Sequence, residues 1–142
     1  MKQATSILLI SMLLFFESNA QPYKTGQKVE GGIVFPNNKK SGVAIAEKGL
    51  GLMSWDEGKK ACEDLVLNGY DNWRLPSLKE LGIIFYQFYV KGIGNFPTGY
   101  YWSKAENKGI RQLAWCFDFK DGQEYNSHSK TNTKYILPVR SY

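Results

Sequence analysis

The sequence predicts an α+β domain in which two helices pack on short antiparallel β-sheets. Three observations carry that prediction: short apolar strand patterns near the start, two helix-start signals in the middle, and alternating aromatic segments around a tight-turn signal in the last third. Strands, then helices, then strands is the order of a segregated α+β fold rather than of alternating parallel units.

The chain opens on a leader-like pattern. Lys2 precedes an apolar run from Ile7 to Phe16, and Ser18-Asn19-Ala20 supplies the small residues of a cleavage site, so residues 1–20 read as a secretory signal peptide. That run is about ten residues, well short of the roughly 20 that a spanning helix needs. Residues 21–142 are then expected to form one domain, exported to the periplasm, the cell surface or beyond, with no membrane span in the mature protein.

Residues 31–35 (GGIVF) read as a strand ended by Pro36-Asn37-Asn38, and residues 41–47 as its return, a hairpin with Lys39 and Lys40 at the tip. Ser54 and Glu57 have the spacing of a capping box, which opens a helix that Asn68-Gly69 would close. Trp55, Cys62, Leu65 and Val66 fall near one face of it, while Asp56, Lys60, Glu63 and Asp64 lie outside that face.

The segment YDNWRLPSLKEL, residues 70–81, leads into the second helix. Leu75 precedes a proline and is pushed towards extended geometry, Pro76 restricts the entry, and Ser77 with Glu80 forms a second capping box. The helix is expected from Leu78 to Val90, with Leu78, Leu81, Ile84, Phe85 and Phe88 covering much of its circumference. Gly82 lowers its intrinsic stability by up to about 1 kcal/mol. Trp73, Arg74, Leu75, Pro76, Ser77 and Glu80 therefore read as architecture, with Trp73 beneath the junction of the helices and Arg74 in a stacked or hydrogen-bonded contact rather than on a ligand.

Beyond a glycine- and proline-rich link, residues 100–105 (YYWSKA) read as a strand. Residues 113–119 alternate, with Leu113, Trp115, Phe117 and Phe119 on one side and Ala114, Cys116 and Asp118 on the other. Asp121-Gly122 signals a hairpin turn into a partner strand from Gln123 to Ser127. A polar loop to Lys134 and a last strand, Tyr135 to Tyr142, complete the chain, and Pro138 argues for an edge or strand-end position there.

Lysine and arginine number 18 against 13 acidic residues, a formal charge of +5. The leader carries one base, Lys2, and one acid, Glu17, so the basicity belongs to the domain. Such a charge favours anionic partners, and export makes nucleic acid the least suited of them; a surface of this charge also serves solubility alone. The candidate ligand-binding residues are Tyr100 and Tyr101, whose rings could stack on sugars, and Lys104, Lys108, Arg111, Lys130 and Lys134, which could together hold sulfate or carboxylate groups. Adjacent strand residues alternate sides, so at least one of Tyr100, Tyr101 and Trp102 belongs to the core, and Trp102 is the expected one.

No catalytic residue is assigned. His128, the only histidine, falls in a polar loop and has no serine or cysteine tied to it by spacing. Neither an HExxH motif nor a cysteine-histidine cluster is present, and no metal or cofactor is expected. Cys62 and Cys116 would survive in an oxidising compartment, where such a pair commonly forms a disulfide, although spacing alone does not bring them together.

Taken in order, GGIVF, SWDEGKKACEDL, NWRLPSLKEL, YYWS, AWCFDFKDG and YILPVR resemble the Legionella collagen-like protein C-terminal domain family, a bacterial family of unknown function akin to the Fibrobacter paralogous domains. The resemblance covers nearly the whole mature chain, with WRLP followed by EL as its most specific element. It implies a fold related to C-type lectins and to formylglycine-generating enzymes, and a role in adhesion through sulfated glycosaminoglycans. The family ends close to VRCVR, whereas Pro138 stands where that cysteine would be, so any bridge from Cys62 must use Cys116. The calcium-binding tripeptides of C-type lectins and the two closely spaced late cysteines of formylglycine-generating enzymes are both missing from the sequence. The expected function is a non-catalytic lectin-like domain binding anionic glycan or an envelope partner. A structural or oligomerising module is the alternative, followed by an oxidoreductase of the formylglycine type.

Overall fold

The computed structural model describes residues 22–38 and 40–142, so the expected leader and Lys39 of the hairpin tip lie outside the described residues. In order, the elements are β1 (Lys28–Val29), β2 (Gly32–Pro36), β3 (Gly42–Ile45), β4 (Leu52–Met53), α1 (Trp55–Glu63), α2 (Leu78–Ile84), a π-helix (Phe85–Tyr89), β5 (Tyr100–Glu106), β6 (Leu113–Asp118), β7 (Gln123–Ser129), β8 (Lys134–Tyr135) and β9 (Val139–Ser141). They build a four-stranded sheet ordered β1-β2-β3-β9 and a five-stranded sheet ordered β4-β8-β5-β6-β7. All pairings are antiparallel except β5 with β8. This is the predicted α+β class.

The five-stranded sheet divides the core because its side chains alternate. Tyr101 pairs with Phe117, and Trp102 pairs with Cys116. The first pair joins Leu81, Ile84, Phe85 and Phe88 of the helical segment and Ile33, Phe35, Val43 and Ile45 of the hairpin in one buried cluster. The second pair joins Trp55 and Cys62 of α1, Leu75, Ala114 and Ile136 in the other. Both faces of β6 are thus occupied, and the side that carries Ala114 and Cys116 is core as well.

Both capping boxes form. The Ser54 and Ser77 hydroxyls accept from the Glu57 and Glu80 N–H groups, and the two carboxylates accept from the N–H groups of the serines in return, an arrangement worth about 1 kcal/mol per helix. The first helix ends at Glu63, earlier than expected. Asn68 and Gly69 are not its stop: with φ of 52° and 82° they form a two-residue turn between Leu67 and Tyr70, which exchange backbone hydrogen bonds of 2.9 and 3.0 Å. Asn-Gly suits both left-handed positions of such a turn, and the Asn68 amide donates to the Gly31 carbonyl at 2.7 Å. Val66, assigned by periodicity to the buried face, lies beyond the helix and is exposed.

The second helix reaches its expected end by a change of winding. After Ile84 the backbone closes wider turns, with Val90 N–H donating to Phe85 O at 2.9 Å. Phe85 and Phe88 stay buried in this turn while Tyr86 faces solvent.

The WRLP segment stitches the two sheets together. Arg74 exchanges backbone hydrogen bonds with Val139 of β9 at 2.8 and 2.9 Å, and the Pro76 carbonyl accepts from Lys104 of β5 at 2.8 Å. The Trp73 indole is buried and donates to the Tyr70 carbonyl at 3.0 Å. Arg74 forks onto Glu80 through two 2.8 Å bonds and reaches the Ser141 hydroxyl at 3.0 Å. The contacts of the motif thus tie the entry of the second helix to both sheets.

The expected single last strand is two. Residues 134–135 belong to the five-stranded sheet and residues 139–141 to the edge of the four-stranded one. Between them Ile136 enters one core cluster and Leu137 the other. Pro138, which has no N–H to offer a ladder, sits at the strand end, and its carbonyl accepts from Ala46 at 2.9 Å.

Candidate functional site

In an antiparallel pair, residues opposite each other point to the same face. Tyr100 lies opposite Asp118, Trp102 opposite Cys116, Cys116 opposite Tyr125, and Ala114 opposite His128, so these side chains share one face of the five-stranded sheet. The α1 cluster covers Trp102, Ala114 and Cys116. Tyr100 remains 37% exposed beside half-buried Tyr125 and His128. Ring centroids lie 5.7 Å apart for Tyr100 and Tyr125, 5.0 Å for Tyr100 and His128, and 5.7 Å for Tyr125 and His128. The three rings make a small aromatic platform.

Lys134 of β8 enters this platform from below. Its ammonium lies 4.5 Å from the Tyr100 ring centroid and 4.9 Å from that of Trp102, while the residue is 5% exposed. Among the described residues it makes no ion pair. Burial draws its pKa down, opposed by Cys116 and Asp118, and the two ring faces favour the charged form as well. Buried Asp118 is held by the Lys120 N–H at 2.9 Å. Burial, then the Lys134 charge, pushes the His128 pKa below its ordinary value. The Tyr125 hydroxyl donates to Asp121 at 2.5 Å and is pushed up to about 12 by that bond. The arrangement offers an exposed ring for stacking, an ammonium that makes no ion pair among the described residues, and a histidine that gains charge on acidification.

The other candidates go elsewhere. Tyr101 is corrected to a core residue: it is 2% exposed, its hydroxyl donates to the Pro97 carbonyl at 2.6 Å, and strand alternation turns it to the face opposite Tyr100. Lys130 is engaged, with its ammonium 2.7 Å from Glu106 and 4.5 Å from the Trp55 ring centroid; that bond holds the Glu106 carboxyl below its ordinary pKa. Arg111 borders the same polar groove, of about 910 Å³, with Asp56 and Glu106 also in its walls. Lys104 lies in a separate depression beside Arg74 and Lys59, and Lys108 in another beside Trp115. Lys104, Lys108, Arg111 and Lys130 border three depressions that share the Glu106 carboxylate, and Lys134 borders none of them. Tyr100 and Lys134 are the pair that the fold brings into contact.

Sequence reasoning does not mark Tyr125, Asp118 or His128 as binding residues. His128 lies on β7, not in a loop, since that strand runs to Ser129. A register shift between Ala114 and Cys116 sets which β7 side chains meet this face, and a bulge of that kind leaves no mark in composition or periodicity.

Cys62 and Cys116 are free thiols, both fully buried in the α1 cluster, and the expected bridge is not formed. Burial pushes Cys62 up to about 12 and Cys116 up to about 11, so neither is poised as a thiolate nucleophile at neutral pH. Among the described residues no group of three or more His, Cys, Asp or Glu side chains is arranged to hold a metal ion, and no helix is long and apolar enough to cross a membrane.

No curated protein matches the chain. The family model of the Lcl C-terminal domain matches residues 25–140, from the turn before β1 to the buried arginine of β9. That match spans both sheets, both helices and the WRLP stitch, and the protein belongs to the Lcl C-terminal domain family.

Proposed function

We propose that this domain is a non-catalytic, exported, lectin-like module that binds an anionic glycan of the cell envelope or its surroundings on the Tyr100–Lys134 face. The observation that carries the reading is the Lys134 ammonium, seated over two aromatic rings, making no ion pair among the described residues and lying directly beneath an exposed tyrosine. A sugar ring stacks on Tyr100 while its carboxylate or sulfate is drawn by the Lys134 charge beneath that ring. The net charge of +5 supports an anionic partner, and the leader pattern supports export. Family membership supports the lectin-like assignment through the kinship stated above.

Heparin-affinity chromatography and a glycan array read at two salt concentrations test the proposal, since salt separates recognition from general charge attraction. Lys134→Met and Tyr100→Ala should each lower the salt needed for elution. Lys130→Met should change it little, because Glu106 already engages Lys130. Elution at low salt, unchanged in Lys134→Met, would sink the anionic-glycan reading.

A second reading, an oligomerising envelope module, is favoured by Tyr86, Val90 and Ile93, large apolar side chains exposed on the π-helix and the turn after it. It predicts a stable oligomer by light scattering and an empty glycan array. An oxidoreductase of the formylglycine type is disfavoured by the burial of both thiols.

A further inference from the structure

A second cavity lies where the chain passes from the five-stranded to the four-stranded sheet. Its volume is about 440 Å³, and Leu50, Phe96, Pro97, Tyr101, Tyr135 and Leu137 give it largely apolar walls. The Tyr101 and Tyr135 rings stand 5.3 Å apart at 32°. The Tyr101 hydroxyl is fixed on Pro97, whereas that of Tyr135 makes no hydrogen bond among the described residues. Lys48 and Asn95 stand exposed at the mouth, and among the described residues neither side chain makes a hydrogen bond or an ion pair. Gly49 keeps the facing connection slim, since a Cβ there would lie 2.8 Å from the Ile136 carbonyl oxygen.

Ligand sites are mostly apolar clefts of roughly this size with a few convergent polar groups at fixed points. Here the polar groups are one ammonium, one amide and one phenol, and the only charge among them is positive. We propose that this cleft binds a small aromatic molecule carrying a single anionic group, with the ring against Phe96, Pro97 and Tyr135 and the anion at Lys48. The site lies on the sheet face opposite Tyr100 and is independent of the glycan reading.

The test uses two fluorescent probes of similar shape on the full folded domain: 8-anilinonaphthalene-1-sulfonate, which is anionic, and N-phenyl-1-naphthylamine, which is neutral. Both should bind one-to-one, and amide chemical-shift changes should centre on Gly49, Gly51, Asn95 and Tyr135. Lys48→Glu, on an exposed side chain, should weaken the sulfonate about tenfold and leave the neutral probe within about twofold. Equal loss for both probes, no loss for either, or the absence of probe binding would overturn the proposal. So would shifts confined to Tyr86, Val90 and Ile93. Shifts at the cleft that follow protein concentration without probe would assign it to a second copy of the chain and likewise overturn it.

Discussion

Replacing Arg74 by alanine removes the fork onto Glu80, two bonds of 2.8 Å, and the 3.0 Å bond to Ser141. The Glu80 side chain is only 15% exposed, and in the variant its carboxylate keeps the Ser77 N–H at 2.7 Å as its remaining partner. Hydrogen bonds to charged groups are worth about 1.5–3 kcal/mol each, and a partly buried charge left unpaired costs more. Arg74 is about a third exposed, so solvent screening offsets part of this, leaving a loss of about 2–3 kcal/mol. For a domain of this length that is a fall in Tm of about 6–12 °C, read by circular dichroism. A pH series adds a sign. Burial pushes the Glu80 carboxyl up, but the Arg74 hydrogen bond, the Ser77 N–H and the Arg74 and Lys104 charges together hold it below its ordinary 4.5. A depressed acid contributes stability that is fully present above its unfolded pKa and lost as pH falls through its folded one. The gap between wild type and Arg74→Ala should therefore be widest at neutral pH and close below 4.5. A Tm within about 1 °C of wild type, together with loss of ligand binding, would refute the architectural assignment and make Arg74 a ligand residue.

Two helix glycines should respond in opposite directions to alanine. Gly82→Ala should stabilise by up to about 1 kcal/mol in denaturant melts, because the added Cβ meets only Phe117 at an ordinary 3.7 Å. Gly58→Ala should destabilise by about 1–3 kcal/mol despite the same gain in propensity, because its Cβ would fall 2.1 Å from the buried Ile136 side chain. Neither cysteine should react with a thiol reagent in the native protein, and both should react in guanidinium; no reaction in guanidinium would show a bridge instead. His128 has a depressed pKa, so its share of stability is present above 6.5 and lost as pH falls through the folded value. The same protonation puts a second charge beside Lys134, and heparin retention at fixed salt should rise as pH is taken below 6.5, an increase that His128→Gln should abolish.

Local chemistry was legible in the sequence because its partners lie within a few residues. Both capping boxes, the β2–β3 hairpin, the Asp121-Gly122 turn and the strand-end place of Pro138 depend on neighbours in the chain, and each stands where its residues put it. Asn68-Gly69 was legible as a turn, but whether it stopped a helix or closed a small hairpin depended on the Gly31 carbonyl, 37 positions away. The split of the last segment between two sheets was not readable, since it follows from Ile136 and Leu137 filling core clusters made by distant elements. The binding candidates show the same division. Basic and aromatic residues could be named from the sequence, but only tertiary structure decided that Lys130 is engaged by Glu106, that Tyr101 is core, and that Lys134 lies under Tyr100 with no ion pair among the described residues. Charge and ring type are properties of a residue, whereas free or paired, exposed or covered, are properties of what the fold brings beside it.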